Sequence, residues 1–552
     1  MKNFRFYITI IIAYSCCTLT SPTHSMDTII HTIDDIMHEN LHTLHQELET
    51  LAETLTPKLV KHISNHEEST ITNNPHRLKE TNILHSTSIS HEEQQYLKER
   101  LPIVKAALEK MLQRPLKNEH VPKIAFITSG GGYRAMLCTT GSLCAAQELG
   151  LLDAITYITA LSGSTWAVAP WISTKKPILE FKDYLQKCAA KSFFDLTKEE
   201  KLLIAHIIAV KKIYEQPRTL VDPYGDLLAN RLLEALGDLR QNTYLSDQAT
   251  IIENGSYPYP IYTVTDGREH QTDPTWYEFT PHTVRNFTHN IHIPTWAFGR
   301  TFKKGQSTND APEKPLGYIL GTCGSAFAAN IETIVKSVIK NKPLQEDIKT
   351  ITHPIATHRP LHFCAKVSNY MYKMENLDNT GLSKKKHLKL VDAGLTCNLP
   401  YLPVSGICKE RAPEILFFLD ASAGHIGGEL HKVAMDAKKH NLHFPEIDLT
   451  DIDKKTISIF KDEKNTNAPV VIYMPRISDK ELWEKNKTNS EFKNYQLSGF
   501  DLNHETDHGF CATKHFHYTP EHSSQVMDQT MFNMITSKQA IIDTLNWVID
   551  RK

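Results

Sequence analysis

Apolar residues return three or four positions apart at Ile33, Met37, Leu41, Leu44, Leu48, Leu51 and Leu55, a stripe along one face of a helix that Pro57 ends. The opposite face carries Asp34, Asp35, Glu39, Glu47, Glu49 and Glu53, so an anionic bilayer would repel it. Too few heptads are present for a coiled-coil arm, and the pattern predicts a helix docked on the body of the protein. Residues 64–92, with Asn73, Asn74 and Pro75, read as an irregular connector. Further along, the period shortens. Apolar runs at Ile124–Ile127, Ile155–Leu161 and Leu388–Val391 each lead into a turn of small residues, the signature of buried strands in an α/β fold. The pattern divides the chain into a leader over 1–25, a helical extension and connector over 26–100, and a main domain over 101–552.

Composition narrows the reading. The 552 residues hold 61 Lys plus Arg against 63 Asp plus Glu, a net charge of -2 that offers no field for nucleic acid. With 40% hydrophobic and 22% charged residues the chain is globular and free of low-complexity blocks. Its 29 His would carry the balance to +27 if all were protonated, so acid turns the surface basic. Lys2 and Arg5 precede an apolar run from Phe6 to Tyr14, too short to span a bilayer, and Ala13 and Ser15 lead to Cys16. This three-part pattern predicts export, with a secreted, periplasmic or N-terminally anchored product. Lipidation of Cys16 would supply the anchor, although Ala13 and Tyr14 fit such leaders poorly. The eight cysteines from Cys138 to Cys511 show no paired spacing and read as small buried side chains.

Candidate chemistry lies in three turns. Ser129, Gly130, Gly131 and Gly132 stand between a strand and a helix, where free N–H groups and the helix N-terminus favour an anion. No Gly-Lys-Ser/Thr follows, which disfavours a P-loop and leaves a phosphate cradle, an oxyanion hole or a plain turn. Ser162 sits in Leu161-Ser162-Gly163-Ser164 with small residues, Ala160 and Ser164, two positions away on either side, as a nucleophile elbow requires. Asp392 ends the third apolar run before Ala393 and Gly394, and a carboxylate there can serve a serine as base without a histidine.

Together, SGGGYRAM from Ser129, LSGSTW from Leu161 and VDAGLTCNLP from Val391 resemble the catalytic domain of the group IV cytosolic phospholipase A2 and lysophospholipase (phospholipase B) family. Weaker marks are WAFGR at Trp296, GSAF at Gly324, DASA at Asp420 and FPEID at Phe444; the likeness runs from about residue 105 to the end. It implies a mixed central sheet flanked by helices, distantly akin to patatin, with Ser162 and Asp392 as a catalytic dyad. It also implies Gly131 and Gly132 as the oxyanion hole and Arg134 as the residue that steadies the phospholipid headgroup. Three departures stand out: Ala160 replaces a usual Gly, Gly424 replaces an Arg of many animal members, and the span from Gly324 to Asp392 is short for the family's cap and lid, which predicts a more open site. No segment resembles a C2 domain, so no calcium or other cofactor is expected.

The implied activity is hydrolysis of fatty-acyl esters in phospholipids or lysophospholipids at a membrane surface approached peripherally. The competing reading is an inert lipid-binding homologue. An aspartate of ordinary pKa ~3.9 is a weak base, so preorganisation would carry the rate. His504, Glu505 and His508 spell H-E-x-x-H, but Gly499, Asn503 and Gly509 around them predict a loop, and no metal is expected.

Overall fold

The computed structural model describes residues 43–57, 75–191, 196–267, 274–326, 364–375, 377 and 381–551. The chain divides into two units, Met1–Glu47 and Leu48–Lys552. Of the smaller one, only residues 43–47 are described, and they are helical. This helix, α1, covers residues 43–57. Its part within the larger unit buries Leu48 and Ala52 completely and pairs Glu49 with Lys212 at 2.8 Å and Arg218 at 3.1 Å. The acidic face expected to repel membranes is thus partly neutralised by the protein itself. Residues 30–42 of the apolar stripe lie outside the described residues, as does the leader.

A mixed sheet of 12 strands forms the core. Across it run β1 (Leu84–His85), β7 (Ile291–Pro294), β6 (Thr283–Asn286), β5 (Trp276–Phe279), β4 (Tyr259–Asp266), β3 (Tyr157–Ala160), β2 (Ile124–Thr128), β12 (Ile415–Asp420), β14 (Val470–Pro475) and β13 (Ser458–Phe460). The strands β4, β3, β2, β12 and β14 are parallel, and the others pair antiparallel. Every residue of β2, β12 and β14 is buried, as unbroken apolar runs require when both faces are covered. Off the sheet, β8 (Phe302–Lys303) and β9 (Gln306–Ser307) form a separate antiparallel pair, while β10 (Ala365–Ser368) and β11 (His387–Asp392) form another that joins the sheet through β4.

Helix α2 (His91–Leu112) begins inside the connector read over 64–92 and ahead of the domain start read at 101. Ser90 caps it, accepting the Glu93 amide at 3.2 Å. Its buried face is Glu93, Tyr96, Arg100, Val104 and Leu108. Two charges in that face mask the 3.6-residue apolar period. Both are satisfied inside. Arg411 donates to the two Glu93 oxygens at 2.7 and 2.8 Å and to Glu278 at 2.7 Å, while Arg100 donates to the carbonyls of Leu152, Ile155 and Gly255. At the centre, α3 (Gly132–Glu148) is buried from Gly132 to Ala146. It packs between α4 (Ser162–Thr174) and a C-terminal helix, Pro520–Thr536. Gly141 permits the second contact: a methyl there would lie 2.2 Å from Thr530 Oγ1.

Candidate active site

The three turns singled out above lie at strand ends on one side of the sheet. β2 and β3 are adjacent and parallel with Thr128 opposite Ala160, so the turns that follow them emerge side by side. Asp392 arrives by another route. One edge of β4 is taken by β5 from Tyr262 to Thr265; the other is taken by β3 as far as Tyr262 and then by β11 at Val264, Thr265 and Asp266. The end of β11 therefore meets the end of β3 along one edge of β4, bringing Asp392 to Ser162. The Ser162 side chain lies close enough to the Asp392 carboxyl to pull its pKa down.

Ser162 opens α4 with φ of 49°, a left-handed conformation that a serine adopts only where its surroundings impose it. Ser164 supplies part of that constraint, accepting the Leu161 amide at 3.1 Å and lying 3.0 Å from the Thr128 carbonyl. Gly163 supplies more, because a methyl on it would lie 2.0 Å from the Gly132 carbonyl oxygen. Gly131 has φ of 138° and Gly132 φ of 60°, so only glycine fits the first of these without strain. Ala160 is fully buried at the strand end, with no distortion of the pairing around it.

The Asp392 carboxyl is 1% exposed, and burial raises its pKa to about 7, against the opposing pull of hydrogen bonds from the Gly394 amide at 2.9 Å and from Ser162. The weak base expected from the residue type is thus shifted toward neutral pH. Burial also pushes the neighbouring Cys323 thiol up, with the Asp392 charge adding to it.

Arg134, expected at the headgroup, is fully buried beneath the glycine turn. It donates to the carbonyls of Ala421 at 2.8 Å and Cys511 at 2.6 Å and to Thr513 Oγ1 at 3.3 Å. Three of the five guanidinium N–H donors thus hold the glycine turn to the segments around Ala421 and Cys511. Arg476, which sequence reasoning did not single out, donates to the carbonyls of Ser422 and, at 3.0 Å, Gly424. It brings a guanidinium to the loop where Gly424 lacks one. Its position at the end of an apolar strand, matching the other site residues, was the available signal. Asn398 was also missed as a working residue. Its carboxamide lies between the glycine turn and the Asp392 turn, with Oδ1 2.5 Å from where a methyl on Gly130 would stand and 2.6 Å from one on Gly394.

The H-E-x-x-H segment is a helix, α5 (Leu502–His508), where a loop was expected. Asp501 caps it through the amides of Asn503 and His504 at 3.1 and 3.2 Å, which outweighs the flanking Gly residues. The His504 and His508 rings are 5.5 Å apart, and Glu505 accepts the Phe510 amide at 3.2 Å. Among the described residues no group of three or more His, Cys, Asp or Glu side chains is placed to hold a metal ion. The cysteines from Cys138 to Cys511 are buried free thiols. Most of the span expected to carry a shortened cap, residues 327–363, lies outside the described residues.

The family model for the lysophospholipase catalytic domain matches residues 124–438. Cytosolic phospholipase A2 epsilon of Mus musculus is 26% identical over 539 residues, covering 84% of this chain and 60% of that protein. Cytosolic phospholipase A2 zeta of Homo sapiens is 32% identical over 259 residues, covering 45% of this chain and 30% of its own length. This chain thus spans about three fifths of the length of the epsilon relatives. Human GIVD cytosolic phospholipase A2 shares the fold, with a TM-score of 0.70 at 21% identity over 85% of this chain and 68% of that one. The mixed sheet flanked by helices is therefore the cytosolic phospholipase A2 catalytic fold, akin to patatin.

These comparisons overturn the expected export, because the matched relatives are named cytosolic phospholipases A2. A charged start and a short apolar run form a pattern of low information content, which explains the misreading. No described helix is long and apolar enough to cross a membrane. From the sheet, the three strand-end turns and the matched domain together, the chain belongs to the lysophospholipase catalytic-domain family that includes the group IV cytosolic phospholipases A2.

Proposed function

We propose that the chain is a serine acyl hydrolase that releases fatty acids from phospholipids or lysophospholipids at a membrane surface it meets peripherally. The observation that carries this reading is the Ser162 hydroxyl, held in a left-handed turn against a buried carboxyl whose pKa is raised to about 7. Asp392 takes the serine proton as Oγ attacks the ester carbonyl. The amides of Gly131 and Gly132 stabilise the tetrahedral oxyanion. Asp392 returns the proton to the departing alcohol, and water then adds to the acyl-serine with the same carboxylate as base, releasing the fatty acid and restoring both groups. The names of the matched relatives support a phospholipid substrate. Arg134 belongs to the frame of the site. The catalytic domain takes in everything from α2 onward, and residues 48–57 of α1 are an extension docked on it.

A fluorophosphonate probe tests the nucleophile: labelling is expected in the parent protein and lost in Ser162→Ala. With a lysophospholipid or diacyl phospholipid as substrate, Ser162→Ala and Asp392→Asn should each lower turnover by ~10⁴-fold. Near-normal fatty-acid release from either variant would refute the dyad.

A further inference from the structure

The peptide joining Gly130 to Gly131 is one rigid plane, with the Gly130 carbonyl on one edge and the Gly131 N–H on the other. The direction of that N–H is therefore set by whatever holds the carbonyl. Asn398 holds it. Its Nδ2 donates to the Gly130 carbonyl at 3.2 Å and, with its second proton, to Ser422 Oγ at 2.7 Å, while its Oδ1 accepts the Gly130 amide at 3.1 Å. The Asn398 backbone amide is itself fixed by Glu429 at 2.7 Å. One carboxamide thus grips Gly130 at both polar groups and links the turns after β2, β11 and β12. Glycine on both sides of the gripped plane leaves little else to prevent it from rotating, since Gly131 sits at φ 138° and ψ 32°.

We propose that Asn398 is a positioning residue that orients and polarises the Gly131 amide for the developing oxyanion, an inference that rests on the oxyanion role proposed above for Gly131. A donor hydrogen bond to the carbonyl end of a peptide strengthens its N–H as a donor at the other end, through polarisation along the chain of hydrogen bonds. The effect is felt when charge appears on the substrate oxygen, so it belongs to the transition state and not to ground-state binding.

The experiment measures kcat and KM on a lysophospholipid, and the inhibition constant of a long-chain alkyl trifluoromethyl ketone, for Asn398→Ala and Ser422→Ala. The ketone adds to the nucleophile as a tetrahedral oxyanion. For Asn398→Ala, kcat is expected to fall by ~10²-fold, comparable to loss of one oxyanion donor, with KM changed less than threefold. The ketone should weaken by a factor similar to the fall in kcat/KM. Ser422→Ala, which frees one end of the carboxamide, should show the same pattern at roughly tenfold and keeps the test available where Asn398→Ala does not fold. A kcat within twofold of the parent in a folded Asn398→Ala, or a loss confined to KM with ketone inhibition unchanged, overturns the inference. Failure of the dyad reading is seen separately, as turnover or fluorophosphonate labelling that survives Ser162→Ala.

Discussion

Ser162 and Asp392, 230 positions apart in the chain, meet because the strands that deliver them share one edge of β4, with Ala160 opposite Tyr262 and Asp392 opposite Val264. The two-residue interval along β4 is roughly 7 Å at the usual rise per residue, room for the elbow and one carboxyl group. Register, more than local flexibility, sets the separation of these two side chains.

If Asp392 is the base proposed above, its burial sets the pH dependence of turnover. A base works when deprotonated, so with its pKa raised to about 7, kcat/KM should rise with pH, close to tenfold per unit below about 7, and level off above it. A pH-rate profile on an uncharged ester measures this directly. A rate that is flat from pH 5 to 8 would show that Asp392 ionises at a much lower pH.

The same shift has a stability consequence of defined sign. The folded pKa lies above the ordinary aspartate value of 3.8, so the protonated form favours folding and its contribution is complete below that value. It is lost as pH rises through about 7. Asp392→Asn keeps a neutral group there and should be more stable than the parent at pH 8, by on the order of a few kcal/mol, though inactive. Thermal midpoints of the two proteins at pH 5 and pH 8 test it; a difference that does not grow with pH contradicts it.

Gly163→Ala should damage the site through sterics alone. The added methyl would lie 2.0 Å from the Gly132 carbonyl oxygen and 2.7 Å from its carbon, backbone atoms of the glycine turn that cannot rotate aside. Overpacking of this kind costs about 1–3 kcal/mol, and the displaced turn should lower kcat by roughly tenfold or more. Unfolding curves and steady-state kinetics on the variant check both numbers.

Arg134→Lys should lose stability and lower turnover by similar factors on a lysophospholipid and on an uncharged ester, because the guanidinium bridges Ala421, Cys511 and Thr513 and a single ammonium cannot reproduce that fork. Parallel assays on the two substrates decide it. A loss confined to the phospholipid would return Arg134 to the headgroup.

The three strand-end turns were legible because their signals are local. A strand end, small residues and a helix start impose themselves on adjacent positions, as at Gly130–Gly132 and Leu161–Ser164. What brought those turns together was not legible, since the double use of one β4 edge depends on strands distant in sequence. Helix α2 escaped notice because Glu93 and Arg100 stand where apolar residues would have marked its period, and their partners, Arg411 for Glu93 and the carbonyls of Leu152, Ile155 and Gly255 for Arg100, lie far along the chain. The contacts of Arg134 and Asn398 were hidden for a similar reason: residue type announces a charge or an amide, but only the fold says which backbone groups it meets. In α5 a single capping aspartate decided against two glycines, a contest that composition alone does not resolve.

The grip of Arg411 on Glu93 and Glu278 limits how the protein can be dissected. A fragment beginning at residue 101 would strand a cation in a dry interior with one carboxylate in place of two, and would open the groove that Tyr96 and Arg100 fill. Expression of nested N-terminal deletions should show soluble, active protein while Ser90 and its helix remain and insoluble protein once they are removed, which makes this stretch part of the smallest piece that can fold unaided.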